Sequence, residues 1–582
     1  MKEARLPDGG RFKARRRHAE TASPTRVDVD GMSTLWTVIS VYADIRSIVD
    51  PMKFATAERS TGIRARFRLL AVACSLAVVG CETADEPPLS MNAAVEPSGA
   101  EARTQLALQR IEELNPLLNA VIAVDPTALD QARALDQVAA PGGALHGMPI
   151  LIKDNIETAG RLPTTAGSLA LIDNVTGRDA PLVAKLREAG AVIVGKANLS
   201  EWANIRDTNS ISGWSAVGGQ TRNPHALDRN PCGSSSGSAV AVAAGMVPAA
   251  IGTETDGSIT CPAAVNGIVG MKPTVGLISR RHVVPISHSQ DTAGPMTRTV
   301  RDAALLLTVM AGTDPEDPAT AEADRYREDY VARLTADALR GQRIGVLRFA
   351  SGFGTDEPFG EALETLRAQG AILVDIGVFP GRQEIARNEL IVLLTELKHG
   401  LNAYLATTPP AVTTRTLADV IAFNVAHADV EMPFFGQNLF IQAQATAGIE
   451  SEEYRRAREI SLQMAGTDGI DRLLARYDVV ALVGPTVPAA WPIDTVHGDV
   501  SRGGGAGGLA AAAGYPHLTV PMGDVRGLPV GLSFIGPRWS DGLILALGYT
   551  YEQASQKRIE PRFVDSIESL PDVARHLAPA IR

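Results

Sequence analysis

Cysteine is scarce in this sequence, which has four in 582 residues: Cys74, Cys81, Cys232 and Cys261. The first two lie in an N-terminal segment that has the character of a targeting signal, so only the last two remain for the folded part. Two cysteines exclude a scaffold held together by several disulfides, and they are too few for a cysteine-only zinc site. We expect Cys232 and Cys261 to pack as small hydrophobic residues.

Basic residues are also fewer than acidic ones, 55 against 65. The formal net charge is −10, and the only dense basic run, Arg15-Arg16-Arg17, lies in a segment that we do not expect in the mature protein. Binding to phosphates needs clustered lysine and arginine, so the composition argues against a nucleic-acid partner. The share of hydrophobic residues, 45%, is that of a globular protein with a large core.

The apolar run Leu69–Val79 is too short to cross a bilayer comfortably. It follows arginines at positions 64, 66 and 68, and a small residue, Gly80, comes after it. A basic region, a short apolar region and a small residue before the cleavage point are the parts of a secretory signal. We therefore interpret residues 52–80 as a signal peptide that is removed on export.

The signal ends in Val-Val-Gly-Cys, which resembles a bacterial lipobox and makes Cys81 the candidate lipidated residue. A cleaved signal without lipid is the alternative. We expect a lipoprotein of the bacterial cell envelope, facing the periplasm and held on the membrane only by its lipid anchor. Residues 1–51 then form a non-native upstream extension or a disordered segment, with Met52 as the true start. The proline-containing residues 81–100 predict a flexible tether.

Short apolar runs alternate with helical patterns through the rest of the chain. Met148–Ile152 and Ala191–Val194 are bounded by turn residues, which is typical of buried strands. Helices are predicted between such strands, for example at Val300–Met310 and Leu543–Ser555. This alternation predicts an α/β fold, a single large domain with a mixed β-sheet covered by helices on both faces.

We place this domain at residues 101–560, followed by a C-terminal tail at 561–582. Within it, residues from about 312 to 475 are largely helical in pattern and carry no readable motif. We interpret them as a variable helical insertion that shapes the substrate site.

Glycine, serine and threonine are concentrated in three motifs of the middle third. One contains Lys153-Asp154-Asn155 after an apolar run, the second is Pro231–Ser238, and the third is Gly252–Ile259. Serines of the last two, Ser234 and Ser258, are 258 − 234 = 24 residues apart. Further stretches are Ser200-Glu-Trp-Ala-Asn, Gly213–Asn223 and Ile286–Met296.

Together these motifs resemble the amidase signature family over residues 101–556, and bacterial peptide amidases resemble them most closely. The resemblance implies the amidase-signature fold and an amidohydrolase that cleaves carboxylic amides through an acyl-enzyme. It implies C-terminally amidated peptides or small carboxamides as substrates, and neither a metal nor an organic cofactor. It says nothing of the oligomeric state.

The resemblance assigns a Ser-Ser-Lys triad. Ser258 matches the nucleophile, Lys153 matches the base, and Ser234 matches the bridging serine that the family holds beside a cis peptide bond. The loop formed by Thr255, Asp256, Gly257 and Ser258 matches the oxyanion hole. Many members have Gly-Gly at 236–237 and 256–257, where this chain has Ser-Gly and Asp-Gly, as peptide amidases also have.

The chemistry of the assignment is reasonable because burial penalises a charged ammonium group. An ordinary lysine has a pKa near 10.4 and cannot act as a base at neutral pH, but desolvation lowers that value. Lys153 ends an apolar run, so we expect it to be buried. Ser234 can then pass a proton from Ser258 to the lysine, and Gly257 allows a tight loop of oxyanion donors.

Two other motif interpretations are weaker. Gly233–Gly237 matches the G-x-S-x-G nucleophile elbow, with Ser235 as nucleophile, but a polar loop precedes it where an elbow needs a strand. Gly190–Ala197 nearly matches a P-loop, but its middle is strand-like and Ala197 cannot bind magnesium. We interpret it as a strand and turn.

The histidines are candidates for a conventional triad but are more simply structural or pocket-wall residues: His146, His282 and His288. Asp256 and Asp291 are candidates for bracing the loop or for contacting substrate.

Two other functions stay open. One is a non-catalytic, lipid-anchored binding protein that has kept the fold. The other is a tRNA-dependent amidotransferase subunit, which the export signal argues against.

Overall fold

An eleven-stranded mixed sheet forms the centre of the computed structural model. The structure describes residues 98–138, 143–379, 381–500, 504–577 and 579. The predicted signal peptide, Cys81 and all but the last three residues of the predicted tether lie outside the described residues.

The strands are short, and most are fully buried. Two of them, β4 and β5, form a separate hairpin. The thirteen strands of the described residues are β1 (Val121–Val124), β2 (Pro149–Lys153), β3 (Val192–Ala197), β4 (Trp214–Ser215), β5 (Gly219–Gln220), β6 (Ala249–Glu254), β7 (Val269–Lys272), β8 (Thr292–Thr297), β9 (Arg343–Leu347), β10 (Ile372–Ile376), β11 (Ala481–Pro485), β12 (His517–Val525) and β13 (Leu528–Ile535).

The sheet order is β1-β3-β2-β6-β8-β7-β12-β13-β11-β9-β10. Strands β3, β2 and β6 run parallel at one side, and β11, β9 and β10 run parallel at the other. Antiparallel pairs fill the centre, from β6–β8 to β13–β11. The mixed sheet predicted from the sequence is therefore confirmed.

Helices cover both faces, as predicted. The α-helices of the described residues are α1 (Ala100–Leu118), α2 (Ala128–Asp136), α3 (Pro181–Glu188), α4 (Ser236–Ala243), α5 (Thr260–Val265), α6 (Val300–Met310), α7 (Ala323–Tyr326), α8 (Asp356–Ala368), α9 (Arg382–Leu405), α10 (Leu417–Ala426), α11 (Ala428–Glu431), α12 (Asn438–Ala445), α13 (Glu452–Ala465), α14 (Arg472–Tyr477), α15 (Gly508–Ala513), α16 (Asp541–Ser555) and α17 (Pro571–Leu577).

Alternate residues of one strand belong to different cores, which shows why the apolar runs are continuous. Ile150 and Ile152 of β2 pack in one hydrophobic cluster, and Leu151 between them packs in another. Because successive side chains of a strand point to opposite faces, a strand covered on both sides must be apolar at every position. The continuous apolar run of β2 is therefore that of a strand covered on both faces.

The segment 312–475 combines strands and helices. Strands β9 and β10, with α8 between them, extend the sheet at one edge, and helices α9 to α14 follow. Among the described residues, no helix is both long enough and apolar enough to span a membrane.

Candidate functional site

Two parallel strands bring the sequence motifs to the same edge of the sheet. Strand β2 ends at Lys153, and its neighbour β6 ends at Glu254, with Ile150 opposite Ala249. Carboxyl ends of parallel strands meet at one edge, where α/β proteins commonly bind ligands. The loop after β6, residues 255–258, therefore starts next to Lys153.

The Lys153 side chain is fully buried and makes three polar contacts. Its Nζ lies 2.8 Å from Ser234 Oγ, 2.8 Å from Thr253 Oγ1 and 3.3 Å from the Thr253 carbonyl oxygen. A neutral amine has two N–H donors and one lone pair. It can donate twice to Thr253 and accept the Ser234 hydroxyl proton, so these contacts are compatible with the uncharged form.

Electrostatics favour the same form. Burial lowers the pKa of Lys153 to about 7, while the negative charges of Asp291 and Glu254 raise it and limit the decrease. An amine with this pKa is substantially neutral at physiological pH, and it can therefore accept a proton.

The two serines of the predicted triad lie on adjoining segments. The bond between Gly233 and Ser234 is a cis peptide, as the resemblance implied. The next residue, Ser235, donates its backbone N–H to the carbonyl oxygen of Ser258 over 3.1 Å. The Ser258 hydroxyl makes no hydrogen bond to any described residue, and hydrogen bonds of this kind often form only when substrate is bound.

The loop after β6 offers free backbone donors. Gly257 has a φ of +77°, a conformation that favours glycine and turns the chain sharply before α5. Its carbonyl accepts from the N–H of Cys261 over 2.8 Å. The N–H groups of Asp256, Gly257 and Ser258 have no hydrogen-bond partner among the described residues, so they can bind an incoming oxygen atom.

Glu254 holds this loop from inside, a role that the motif analysis missed. Its carboxylate accepts from the N–H of Ile259 at 2.7 Å and from the N–H of Thr260 at 2.9 Å. The side chain is buried, and it closes a ring around residues 255–258. A carboxylate six residues before the start of helix α5 was the available signal, since acidic groups stabilise helix N-termini.

Asp291 braces the same loop from the side. It accepts from the Thr255 hydroxyl at 2.6 Å and from the N–H groups of Ile286 and Ser287 at 2.9 Å each. Burial raises the pKa of Asp291 to about 6 in spite of these hydrogen bonds. Asp256, in contrast, is exposed and has no hydrogen-bond partner among the described residues.

Ser235 is unsuited to the role of nucleophile in an elbow. It is fully buried, and its hydroxyl donates to the Thr253 carbonyl at 3.0 Å and accepts from the Thr253 N–H at 3.2 Å. No strand directly precedes this loop, whereas the near-P-loop at 190–197 contains β3. Lys196 of that strand is buried 3.7 Å from Asp154, so it has a structural partner.

Two of the candidate histidines lie beside carboxylates outside the proposed triad. His282 is 4.0 Å from Glu157, and His288 lines a cavity and is 3.3 Å from Glu396. Neither hydrogen bonds to Ser258 or Lys153. The carbonyl of His146 accepts a hydrogen bond from Arg103.

The two remaining cysteines pack in a hydrophobic cluster, as expected, but the sequence did not predict that they are bonded to each other. Cys232 and Cys261 form a disulfide, with their Cα atoms 6.0 Å apart. Both are buried in a small cluster with Val265 and Ala490. The pairing arises because the loop before α4 and the first turn of α5 meet in space, which the spacing of 29 residues did not reveal.

A cavity of about 620 Å³ adjoins the site through Thr253, Thr255 and Asn155. Its cationic side chains are already paired, Arg280 with Asp317 at 2.7 Å and Arg281 with Asp314 at 3.1 Å. Most of the remaining lining is apolar, including Ala203, Val283, Val284, Pro285, Ile286, Ala403 and Ile449.

Comparison with known proteins agrees with this architecture. The family model for amidases matches residues 102–545. The chain therefore belongs to the amidase signature family, and the fold predicted from the resemblance is confirmed. Amide hydrolysis is the activity that this membership supports.

Three relatives show how similar the chain is to individual proteins. The crystal structure of the native peptide amidase from Stenotrophomonas maltophilia has 50% sequence identity and a TM-score of 0.76, covering 80% of this chain and 95% of that one. A probable amidase of Arabidopsis thaliana is 41% identical over 79% of this chain and 88% of its own length. A glutamyl-tRNA(Gln) amidotransferase subunit of Pseudomonas aeruginosa is 36% identical over 78% of this chain and 94% of its own length.

Proposed function

We propose that this amidase hydrolyses C-terminal peptide amides or small carboxamides through an acyl-enzyme on Ser258, with Ser234 and Lys153 as proton relay and base. The observation that carries the proposal is the buried Lys153 Nζ at 2.8 Å from Ser234 Oγ, with a pKa lowered to about 7. A serine hydroxyl becomes an effective nucleophile only when a positioned base removes its proton.

The reaction begins with proton transfer. As the Ser258 oxygen attacks the amide carbonyl, its proton passes to Ser234, and the Ser234 proton passes to neutral Lys153. The oxyanion that forms is held by the free N–H groups of residues 256–258, each worth about 3 kcal/mol in comparable sites. The relay then runs in reverse and protonates the leaving nitrogen, so that ammonia departs and the acyl group stays on Ser258.

Hydrolysis of the acyl-enzyme repeats the same steps with water. Water loses a proton through Ser234 to Lys153, its oxygen attacks the ester carbonyl, and the proton returns to Ser258 as the carboxylic acid is released. The relay is regenerated, and no proton is left over.

The cavity beside Thr253 supports an uncharged amide as substrate. Because Arg280 and Arg281 are each paired with carboxylates, the cavity offers mainly apolar surface and a few polar atoms. A volume of about 620 Å³ is within the range of small-molecule sites and can hold an amino-acid amide with part of a peptide. Helix α9 contributes His399, Gly400 and Ala403, which supports a substrate-shaping role for the segment after β10.

A panel of peptide amides, aryl amides and fatty amides tests the proposal, with released ammonia or amine as the readout. We expect ammonia from peptide amides and loss of turnover by orders of magnitude in Ser258→Ala, Ser234→Ala and Lys153→Ala, each with an unchanged circular dichroism spectrum. A fluorophosphonate should label Ser258 in the parent protein. No adduct and no ammonia would favour a binding protein that has kept the fold.

The amidotransferase relative supports one alternative, a subunit of a tRNA-dependent amidotransferase. Adding glutamine to the panel separates this alternative, because glutamine would then be hydrolysed in preference to every peptide amide. Near-normal turnover in Lys153→Ala would instead remove the proposed base.

A further inference from the structure

A covalent bond joins the two segments that carry the proposed catalytic serines. Cys232 is two residues before Ser234, and Cys261 is three residues after Ser258. The disulfide therefore closes a ring through both serine segments, and its half-cystines are only 6% and 9% exposed.

Besides the hydrogen bonds between Ser235 and Thr253 described above, two hydrogen bonds join these segments on either side of the disulfide. Ser235 N–H donates to the Ser258 carbonyl at 3.1 Å, and the Asn266 side chain, just after α5, donates to the Pro231 carbonyl at 2.8 Å. Each such bond is worth about 1 kcal/mol net. The disulfide is the only covalent cross-link among the described residues, and it lies between these two bonds along the chain.

The segment before α4 has little freedom to adjust by itself. The segment packs closely at Gly233, where a Cβ would lie 2.1 Å from the Ser200 hydroxyl oxygen. The carbonyl of Cys232 accepts from the Ser236 hydroxyl at 2.7 Å, so residues 232–236 form a tight turn. A shift at Cys232 would therefore be transmitted to Ser234.

We propose that the Cys232–Cys261 disulfide positions Ser234 against Ser258, so that the oxidised protein is the active form of the proposed amidase. The inference rests on the proposed function, because it concerns the proton relay between those serines. The two cysteines are not among the residues that line the cavity, so we expect the disulfide to affect the relay and not substrate binding. An enzyme built in this way suits a compartment in which disulfides persist.

The redox step balances with a dithiol as reductant. Two electrons and two protons pass from dithiothreitol to the S–S bond, which yields the Cys232 and Cys261 thiols and the cyclic disulfide of the reagent. Reoxidation returns both electrons and both protons to an oxidant such as oxidised glutathione and re-forms the bond.

The double variant Cys232→Ala/Cys261→Ala is the main test, assayed on the peptide amide that the parent protein hydrolyses best. We expect kcat to fall at least about tenfold with KM nearly unchanged, because a catalytic group displaced by 1 Å can cost on the order of 100-fold. The rate of fluorophosphonate labelling at Ser258 should fall in parallel. Reduction of the folded parent protein, followed by thiol titration, should reproduce the loss, and oxidised glutathione should restore activity.

Val265→Ala is the matched control, because Val265 is fully buried in the same cluster as the disulfide but leaves the cross-link intact. It should lower Tm while kcat is kept, as expected of a packing residue. Equal kcat and labelling rates in the parent and the double variant would overturn the proposal. So would unfolding by every means of breaking the bond, since the disulfide would then only stabilise the fold. If neither oxidised nor reduced protein releases ammonia, the proposed function itself fails.

Discussion

Thr253 presents both its hydroxyl and its carbonyl oxygen to Lys153 Nζ, at 2.8 Å and 3.3 Å. These two acceptors use both N–H groups of a neutral lysine and so leave its lone pair directed at Ser234. We predict that Thr253→Val, which removes the hydroxyl, lowers kcat by about 10- to 100-fold, because a buried polar group without its partner costs roughly 1–3 kcal/mol. Steady-state kinetics on a peptide amide would measure the loss.

Thr253→Ser is the control for that variant, because it keeps the hydroxyl and removes only a methyl group. Its kcat should stay within a few-fold of the parent value. A Val variant as active as the Ser variant would show that this hydroxyl does not orient the base.

The activity should depend on pH through Lys153. The relay needs the neutral amine, and burial lowers the pKa of Lys153 to about 7. We predict that kcat/KM for an uncharged amide rises about tenfold per pH unit below this value and becomes level above it. A profile that is flat between pH 5 and 9, measured with a substrate that does not titrate in that range, would contradict Lys153 as the base.

Asp291 should set the pH of the acidic limb of this profile, which is the range in which kcat/KM rises with pH. Its negative charge raises the pKa of Lys153, so Asp291→Asn should move the limb to lower pH. The maximal rate should also fall, because an amide oxygen cannot replace both carboxylate oxygens that hold Thr255 and the 286–287 backbone. Asp256→Asn removes a nearby charge that does not raise the Lys153 pKa, so its limb should not move. A shift of equal size in both variants would contradict the assignment.

Most of the fold could be predicted from the sequence because the central strands are fully buried. Met148–Ile152 and Ala191–Val194 are continuous apolar runs, and they became β2 and β3 with their side chains in cores on both faces. The positions of Lys153, Ser234 and Ser258 followed from the resemblance, which carries spatial information that composition and periodicity do not.

The two features that the sequence did not reveal, the role of Glu254 and the disulfide, depend on how loops fold back in space. Glu254 closes the loop because residues 255–258 turn back and bring the N–H groups of Ile259 and Thr260 to its carboxylate. The Cys232–Cys261 disulfide depends on the loop before α4 meeting the first turn of α5, and the scarcity of cysteine gave no indication of this pairing. Local patterns identify elements, but they do not say which loops will touch.

Cys81 offers a prediction that is independent of the site. If the Val-Val-Gly-Cys sequence is a lipobox, expression in a bacterium should give a mature protein that begins at Cys81, carries lipid and partitions into the membrane fraction. Mass spectrometry of the N-terminal peptide measures this. Cys81→Ala should abolish the lipid adduct without changing kcat of the purified enzyme. A mature form that retains residues 1–51 would contradict the predicted signal.

Arg206 joins the segment after β10 to the part of the chain that carries the proposed catalytic residues. Its guanidinium is fully buried, hydrogen bonds to Glu201, lies 3.7 Å from Glu431 of α11 and stacks 4.2 Å from the Phe435 ring centre. Removing one member of a buried ionic group leaves uncompensated charge, which commonly costs about 3–5 kcal/mol. We therefore predict that Arg206→Met lowers Tm strongly in thermal unfolding.

The matched control is Arg133→Met, because Arg133 is paired with Glu101 at the surface, where solvent screens the interaction. Its Tm should hardly change. The Arg206 variant should become more stable as the pH is lowered toward the raised pKa of Glu201, because protonation removes the charge that the arginine no longer balances. A Tm for Arg206→Met equal to that of the parent at neutral pH would show that packing around Phe435, and not the ionic group, holds the two parts together.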